Sequence, residues 1–287
     1  MNVWTVLGMI DWSKGYLAGK GFENARLEAE LLLSHVLSVP RIGLYTAGER
    51  ALTPDELSRY KAALKRRLTG EPVQYVTGTA AFMFSEFEVN PSVLIPRPET
   101  EALTEAALKA IGTPPGEVRV ADIGTGSGVI ATTIALKVPA ATVVATDVSA
   151  DALAVAARNA ARAGVADRVR FLEGAFLEPL AREGLEGSLA ALVSNPPYVA
   201  TGDLAGLPAE VRDFEPRTAL DGGPDGLDSL RVIAQDGPRF LAEGGVMLLE
   251  VGDGQAPLVE RMLETSLGNA RTHKDYAGRD RIVAGVR

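Results

Sequence analysis

Residues Ser194 to Tyr198, which read SNPPY, end an apolar run with an amide, two prolines and an aromatic ring. Each proline fixes its own φ, lacks an N–H and pushes the residue before it toward extended conformations. The segment is therefore a stiff corner whose acceptors are the Asn195 side-chain oxygen and the carbonyls of Asn195 and Pro196. Such a corner is complementary to a planar –NH2 group, because two acceptors take its two N–H bonds while the Tyr198 ring covers a face.

The chemistry that this corner favours is methyl transfer to an amide or an exocyclic amine. An amide nitrogen is a poor nucleophile because its lone pair is delocalised into the carbonyl. Holding both N–H groups favours a pyramidal, more nucleophilic nitrogen in the transition state. Alignment of two reactants can contribute about 7–11 kcal/mol more. The alternative interpretation is that the prolines only end a strand.

A second cluster runs from Asp122 through Gly124 and Gly126 to Gly128, where a predicted strand gives way to a helix. Glycines there let the backbone approach a ligand closely, and the first N–H groups of the helix are free to bind it. A dinucleotide fingerprint stays open, because counting G-x-G-x-x-G/A from Gly126 puts Ala131 at its third position. The full spacing, D-x-G-x-G-x-G, resembles that of S-adenosylmethionine-dependent methyltransferases, and it suits a ligand that carries a carboxylate and an amine.

Asp147 ends the next predicted strand. An acid at this place can accept hydrogen bonds from both ribose hydroxyls of an adenosine. The alternative is that Asp147 only caps the helix that follows. The glycine loop just upstream favours the nucleoside interpretation.

These motifs require a scaffold that brings strand ends together, and the second half of the chain predicts one. The predicted strands are 118–124, 142–149, 168–174, 189–197 and 244–252, followed by a closing pair within 270–286. The predicted helices between and around them are 97–112, 127–138, 150–164 and 226–244. Strands that alternate with helices indicate a doubly wound, mostly parallel sheet. Ligands of such sheets bind outside the carboxyl ends of the strands.

The first 70 residues or so predict a small helical bundle. One helix carries apolar residues at helical spacing, at Leu27, Leu31, Leu32 and Val36. A second begins at a capping box formed by Thr53 and Glu56 and ends at Gly70. Residues 77–95 are rich in Phe and Val and predict a β-hairpin, with a turn signal at Asn90-Pro91. Residues 201–226 form a long Gly/Pro-rich loop of a length more typical of functional lids than of connectors.

Composition limits the class of protein. The 287 residues are 46% hydrophobic and 23% charged, which is typical of a globular protein with a sizeable core. The net charge of −8 argues against nucleic acid as a stable partner, since binding many phosphates usually needs a basic patch. No membrane span, leader or cysteine is recognisable, so a cytoplasmic location is expected. His35 and His273 are isolated and lack metal-ligand spacing, so no metal site is predicted.

Segments spread over nearly the whole chain are together similar to the PrmC/HemK family. They are EPVQYVTG (71–78), LIPRPETE (94–101), DIGTGSG (122–128), SNPPY (194–198), FEPRTAL–GG–DGL (214–227), EVG–GQ (250–255) and KDYAGRDR (274–281). Members of this family methylate the side-chain nitrogen (N5) of the glutamine in the Gly-Gly-Gln motif of class I peptide-chain release factors. The resemblance therefore implies release factors as protein partners, S-adenosylmethionine as cofactor and S-adenosylhomocysteine as product.

These patterns and the resemblance together predict a domain organisation. The helical bundle at 1–75 is our hypothesis for substrate recognition, since its surface lies outside the catalytic unit, and a β-hairpin linker would follow at 76–96. Residues 97–287 would form a seven-stranded, doubly wound, Rossmann-like class I methyltransferase domain of the α/β class.

Carried over position by position, the resemblance assigns the site residues. Those expected to bind S-adenosylmethionine are Asp122, Gly124, Thr125, Gly126, Ser127, Gly128, Asp147 and Asn195. Those expected to bind the glutamine are Asn195, Pro196, Pro197 and Tyr198, with Asn195, Pro196 and Tyr198 as catalytic residues. After the third strand the family often has an Asp-Trp pair against the adenine, whereas this chain has Ala175-Phe176. We expect Ala175 to offer backbone or a small apolar surface there, with Phe176 as a substitute ring.

Arg97, Glu99 and Glu101 have two interpretations. They can simply start a helix, with Pro98 in its first turn and the acids favouring the positive end of its dipole. The resemblance instead implies that Arg97 and Glu101 brace the substrate site beside the hairpin.

Three rival functions are consistent with parts of the chain. A DNA or RNA amino-methyltransferase acting on adenine N6 uses the same NPPY motif, but the acidic charge speaks against it. A non-catalytic binding module would leave the glycine loop and the corner unused. A dinucleotide oxidoreductase would leave the corner without a role.

Overall fold

The computed structural model describes residues 4–287, so the first three residues of the predicted bundle lie outside the described part. The chain forms two compact units. A helical unit comprises the residues up to Thr79 together with Ala209–Phe214, and an α/β unit comprises Ala80–Pro208 and Glu215–Arg287. None of the described helices is long and apolar enough to cross a membrane.

The helical unit packs its helices around one apolar core that includes Ile10, Leu32 and Leu33. Its helices are α1 (Val6–Ala18), α2 (Ala25–Leu37), α3 (Arg41–Thr46), α4 (Pro54–Leu68) and α5 (Val73–Thr77). The apolar face predicted for α2 is partly wrong, because Leu27 is 40% exposed and Ala25, Ala29 and Leu33 are buried instead.

The predicted capping box at the start of α4 is confirmed. The Glu56 N–H donates to Thr53 Oγ1 at 3.2 Å, and the Thr53 N–H donates to Glu56 Oε2 at 2.8 Å. The helix ends at Leu68, two residues before Gly70, whose φ of 95° cannot continue it.

The hairpin consists of β1 (Thr79–Phe82) and β2 (Ser85–Glu88). Its turn lies at Met83 and Phe84, so the expected turn at Asn90-Pro91 is wrong in position. Asn90 instead makes a separate turn after the hairpin, where its side-chain oxygen accepts from the Ser92 N–H at 2.9 Å. Phe82 is 1% exposed and belongs to the core of the α/β unit.

The α/β unit is built on a seven-stranded sheet within residues 118–286. Its strands are β3 (Val118–Ile123), β4 (Ala141–Asp147), β5 (Val169–Glu173), β6 (Leu189–Ser194), β7 (Leu241–Glu250), β8 (Arg271–Lys274) and β9 (Asp280–Val286). The strand order is β5-β4-β3-β6-β7-β9-β8, with parallel pairing from β5 to β7 and antiparallel pairing at β9. The predicted doubly wound, mostly parallel sheet is confirmed.

Helices cover both faces of this sheet. They are α6 (Pro98–Ile111), α7 (Val129–Lys137), α8 (Ala150–Arg162), α9 (Glu178–Arg182), α11 (Asp228–Asp236) and α12 (Ala256–Leu267). Successive strand residues face opposite sides, and they accordingly divide between two apolar cores, Val120 and Val193 in one and Ala121 and Leu192 in the other.

The helix expected over 226–244 is shorter than predicted. It ends at Asp236, a 3-10 turn follows at Gly237–Phe240, and β7 already begins at Leu241. Pro238 accounts for this end, since it lacks the N–H that would continue the helix.

The loop at 201–226 is also more regular than expected. It contains 3-10 turns at Thr201–Gly206 and Arg217–Ala219, with the short helix α10 (Ala209–Arg212) between them. In the helical unit, Arg67 Nη2 lies 3.1 Å from Glu210 Oε2 and holds this helix.

The topology decides where a ligand can bind. From β3 the chain moves outward through β4 to β5 and then returns to β6, on the other side of β3. Such a switch point opens a crevice at the carboxyl ends of the two central strands. The glycine loop follows β3 and the SNPPY corner follows β6, so the fold places both motifs at this crevice.

Candidate active site

A cleft lies at this switch point in the α/β unit. Its walls come from the loops that follow β3, β4, β5 and β6, from two flanking segments, 92–96 and 216–219, and from Thr100 in α6. The predicted site residues among its lining are Gly124, Thr125, Gly126, Ser127, Asp147, Phe176, Asn195 and Pro197. Asp122, Gly128, Ala175, Pro196 and Tyr198 are not part of its walls.

The glycine loop has a backbone that only glycine adopts readily. Gly124, Gly126 and Gly128 have φ values of 71°, 54° and 78°. A Cβ at Gly128 would also lie 2.8 Å from the Ala156 side chain, so this glycine lets α7 and α8 approach. The N–H groups of Gly124 and Thr125 both donate to the Thr146 carbonyl at 2.9 Å, which ties the loop to the end of β4.

Asp122 lies beneath this loop and is completely buried. Its Oδ2 accepts from Thr125 Oγ1 at 2.6 Å and from the Ala131 N–H at 3.1 Å. Burial raises the pKa of its carboxyl to about 7, while these two hydrogen bonds act in the opposite direction. Asp122 therefore shapes the loop from below.

Asp147 faces the cleft and is held by backbone amides. Its Oδ2 accepts from the Gly126 N–H at 2.9 Å and its Oδ1 from the Ser149 N–H at 3.0 Å. Burial raises its pKa above the ordinary value, against the effect of these bonds. The alternative role as helix cap is wrong, because Ser149 caps α8 by accepting from the Ala152 N–H. Each carboxylate oxygen keeps a further lone pair for a ligand hydroxyl.

The segment after β5 brings a ring to the cleft. Phe176 lines it with a left-handed φ of 46°, and its carbonyl accepts from Thr146 Oγ1 at 3.1 Å. Ala175 lies outside the walls, in a shallower depression beside Glu173.

At the SNPPY corner, Asn195 and Pro197 line the cleft. Asn195 Nδ2 donates to Thr100 Oγ1 at 2.9 Å. Pro196 is buried, and Tyr198 packs against the apolar core with its hydroxyl donating to Glu250 Oε1 at 3.2 Å. The corner thus contributes Asn195 and one of its two prolines to the cleft lining.

Residues that the motifs did not single out hold the corner from outside. Gln255 Nε2 donates to the carbonyls of Tyr198 and Gly226, at 3.0 and 3.2 Å. The Gly222 N–H donates to the Val199 carbonyl at 2.8 Å. These residues belong to segments that resemble the family, but local spacing assigns them no role, because their partners are far away in the chain.

Replacing Gly226 by alanine is expected to displace the corner. Gly226 has a φ of 76°, and a Cβ there would collide with the Tyr198 carbonyl oxygen. The strain costs about 1 kcal/mol or more, and the displaced corner should lower the transfer rate about 10-fold. Gly202→Ala, in the same loop with open space around it, is the matched control. Thermal melts and single-turnover rates of both variants check this, and equal rates would contradict it.

Arg97 and Glu101 lie beside the cleft but do not line it. The Arg97 guanidinium pairs with the buried Glu215, which also accepts from the Ile95 N–H. Glu101 Oε1 accepts from the Met83 N–H at 2.5 Å, at the turn of the hairpin. Glu99 pairs with Arg279 Nη2 at 2.5 Å. These contacts place all three as braces of the surrounding segments.

Comparison with known proteins identifies the family. Residues 9–78 match the PrmC N-terminal domain, and residues 100–207 match the methyltransferase small domain. The chain is 45% identical over 285 residues to a release factor glutamine methyltransferase of Geobacter sulfurreducens, covering 99% of this chain and 97% of that protein. It is 46% identical over 273 residues to the enzyme of the same name from Moorella thermoacetica, covering 94% of each.

A solved structure supports the fold alone. The Thermus thermophilus 16S rRNA methyltransferase RsmC, in complex with AdoMet and guanosine, aligns with a TM-score of 0.53 at 19% identity. The alignment covers 73% of this chain and 49% of that one. With the full-length similarity to its relatives, the chain belongs to the release factor glutamine methyltransferase family and is a methyltransferase.

Proposed function

We propose that this enzyme transfers a methyl group from S-adenosylmethionine to the side-chain amide nitrogen (N5) of the glutamine in the Gly-Gly-Gln motif of class I release factors. One observation carries the chemistry of this proposal. Asn195 lines the cleft with its Nδ2 bound to Thr100, and no hydrogen bond within the described residues occupies its Oδ1. That oxygen is an acceptor suited to the N–H of an amide.

The residues of the cleft fit S-adenosylmethionine. Gly124 and Gly126 line the cleft and have open space where a side chain would otherwise project, and Asp147 keeps lone pairs for the ribose hydroxyls. Phe176 would contact the adenine, and Asn195 would meet both cofactor and substrate. When bound, S-adenosylmethionine supplies a methyl group activated by the sulfonium, and S-adenosylhomocysteine is the product.

The protein's own contribution is to bind and orient the substrate amide. Asn195 Oδ1 accepts one N–H, and a corner carbonyl of Asn195 or Pro196 accepts the other, which directs the nitrogen lone pair toward the methyl donor. With the amide held in this way, solvent would take the proton that the nitrogen loses once it is methylated. Pro196, Pro197 and Tyr198 keep the corner stiff and shape the glutamine site.

The helical bundle at 1–75 is proposed to recognise the release factor, while the hairpin linker at 76–96 joins it to the methyltransferase domain at 97–287. Arg97 and Glu101 would brace the substrate site through Glu215 and the hairpin turn. Because release factors act in translation, the proposed location is the cytoplasm.

The proposed function is tested by comparing molecules that could receive the methyl group. The protein is incubated with methyl-labelled S-adenosylmethionine and either a class I release factor, the same factor with Gln→Ala in its Gly-Gly-Gln motif, or DNA. Label is expected only in the unaltered release factor. Label in DNA and none in the release factor would instead support an adenine amino-methyltransferase, which the net charge of −8 disfavours.

A further inference from the structure

A chain of buried side chains leads from the end of β7 to the SNPPY corner. Glu250, the last residue of β7, is 0% exposed, and its Oε2 accepts from Thr100 Oγ1 at 2.8 Å. Thr100 Oγ1 in turn accepts from Asn195 Nδ2 at 2.9 Å. The other carboxylate oxygen, Oε1, accepts from the Tyr198 hydroxyl at 3.2 Å.

The number of donors and acceptors on each side chain decides which group donates in each of these hydrogen bonds. An ionised carboxylate only accepts, and a threonine hydroxyl has a single hydrogen to donate. With that hydrogen committed to Glu250, Thr100 can offer only a lone pair to its next neighbour. Asn195 must therefore turn its –NH2 toward Thr100 and direct its Oδ1 elsewhere.

We propose that Thr100 and Glu250 are positioning residues that decide which end of the Asn195 amide faces the acceptor nitrogen. The inference rests on the proposed role of Asn195. Rotation of the amide by half a turn would bring an –NH2 group against the substrate's own –NH2, and the acceptor that the reaction uses would be lost. Holding the amide in one orientation before the substrate arrives avoids that loss.

Three variants test the hydrogen bond between Thr100 and Asn195. Thr100→Val keeps the shape of the side chain but removes its hydroxyl, and kcat is expected to fall about 10-fold or more, with the KM for S-adenosylmethionine within about twofold. Thr100→Ser restores the hydroxyl and should recover most of the rate. Thr104→Val is the matched control, since Thr104 is buried one turn along α6 and donates only to the Thr100 carbonyl at 2.8 Å.

Hydrogen exchange of the Asn195 side-chain amide gives a second measurement, which does not depend on methyl transfer. In the parent protein and in Thr104→Val, the Asn195 side-chain amide protons should exchange slowly with solvent, because one of them is bound to Thr100. They should exchange faster in Thr100→Val. The amide pair is assigned in a 15N spectrum as the one that Asn195→Asp removes.

The pH dependence of kcat tests the hydrogen bond between Glu250 and Thr100. Burial raises the pKa of Glu250 to about 7, and Glu99 raises it as well, whereas Arg281 and the hydrogen bonds from Thr100 and Tyr198 lower it. Below pH 7 the carboxyl gains a proton that it can donate to Thr100, whose hydrogen is then free to bind Asn195 Oδ1. The expected result is a kcat that falls as the pH is lowered through about 7.

Glu250→Gln separates this effect from other titrations. Asp122 beneath the glycine loop has a pKa raised to a similar value, but only Glu250 is neutralised in this variant. We expect Glu250→Gln to have a reduced kcat that no longer falls as the pH is lowered, whereas an unchanged fall would overturn the role of Glu250.

The role of Thr100 is overturned if Thr100→Val keeps the parent rate and slow amide exchange, or if Thr104→Val lowers kcat as much as Thr100→Val does. If the parent protein does not methylate release factors, the proposed function is wrong. The exchange measurement would still test whether Thr100 orients the Asn195 amide.

Discussion

Asn195→Ala is expected to lower the single-turnover rate of methyl transfer about 10²- to 10³-fold, the effect seen when one preorganised hydrogen-bonding group is removed from an active site. The physical reason is the proposed role of Asn195 Oδ1 as the acceptor that holds a substrate N–H at the cleft. Affinity for S-adenosylmethionine should be partly retained, because the glycine loop and Asp147 are untouched. Rapid-quench transfer of labelled methyl to a release factor measures the rate, and calorimetry measures the affinity.

Ser194→Ala is the control for this variant. Ser194 precedes Asn195 at the end of β6 and is buried, but its hydroxyl donates to the Ile123 carbonyl at 2.7 Å and does not line the cleft. Its rate should stay within about threefold of the parent rate, since a single neutral hydrogen bond contributes about 1 kcal/mol and chiefly to stability here. Full activity of Asn195→Ala would refute the positioning role of the amide.

Asp147→Ala is expected to weaken S-adenosylmethionine binding about 100-fold. Hydrogen bonds to a charged group contribute about 1.5–3 kcal/mol each, and the carboxylate also holds the Gly126 N–H at 2.9 Å in the glycine loop. Binding is measured by isothermal titration calorimetry with S-adenosylhomocysteine, which avoids turnover. At saturating S-adenosylmethionine, most of the parent kcat should return, because the acceptor corner is unchanged.

Asp151→Ala serves as its control. Asp151 is an exposed acid in the first turn of α8, four residues beyond Asp147, and it does not line the cleft. Its loss changes the net charge in the same way, so the affinity should remain within about twofold. If both variants bind S-adenosylhomocysteine as the parent does, Asp147 does not hold the ribose.

The amino-acid sequence alone determined the local features of this protein. The capping box of α4, the left-handed glycine loop, the stiff corner and the alternation of strands and helices all depend on residues within a few positions of one another. Periodicity and backbone preferences act over such distances, so these features could be predicted. Errors arose where a local signal was ambiguous, as at Asn90-Pro91, whose turn follows the hairpin rather than closing it.

The tertiary structure alone decided how the site is assembled. Thr100 lies 95 residues from Asn195 and 150 residues from Glu250, yet their side chains form one continuous hydrogen-bonded chain. Gln255 reaches the Tyr198 carbonyl across 57 residues. No periodicity reports such contacts, because they depend on which strands become neighbours. The SNPPY segment therefore predicts an acceptor for an –NH2 group, but the order of the strands supplies the partners that we propose orient it.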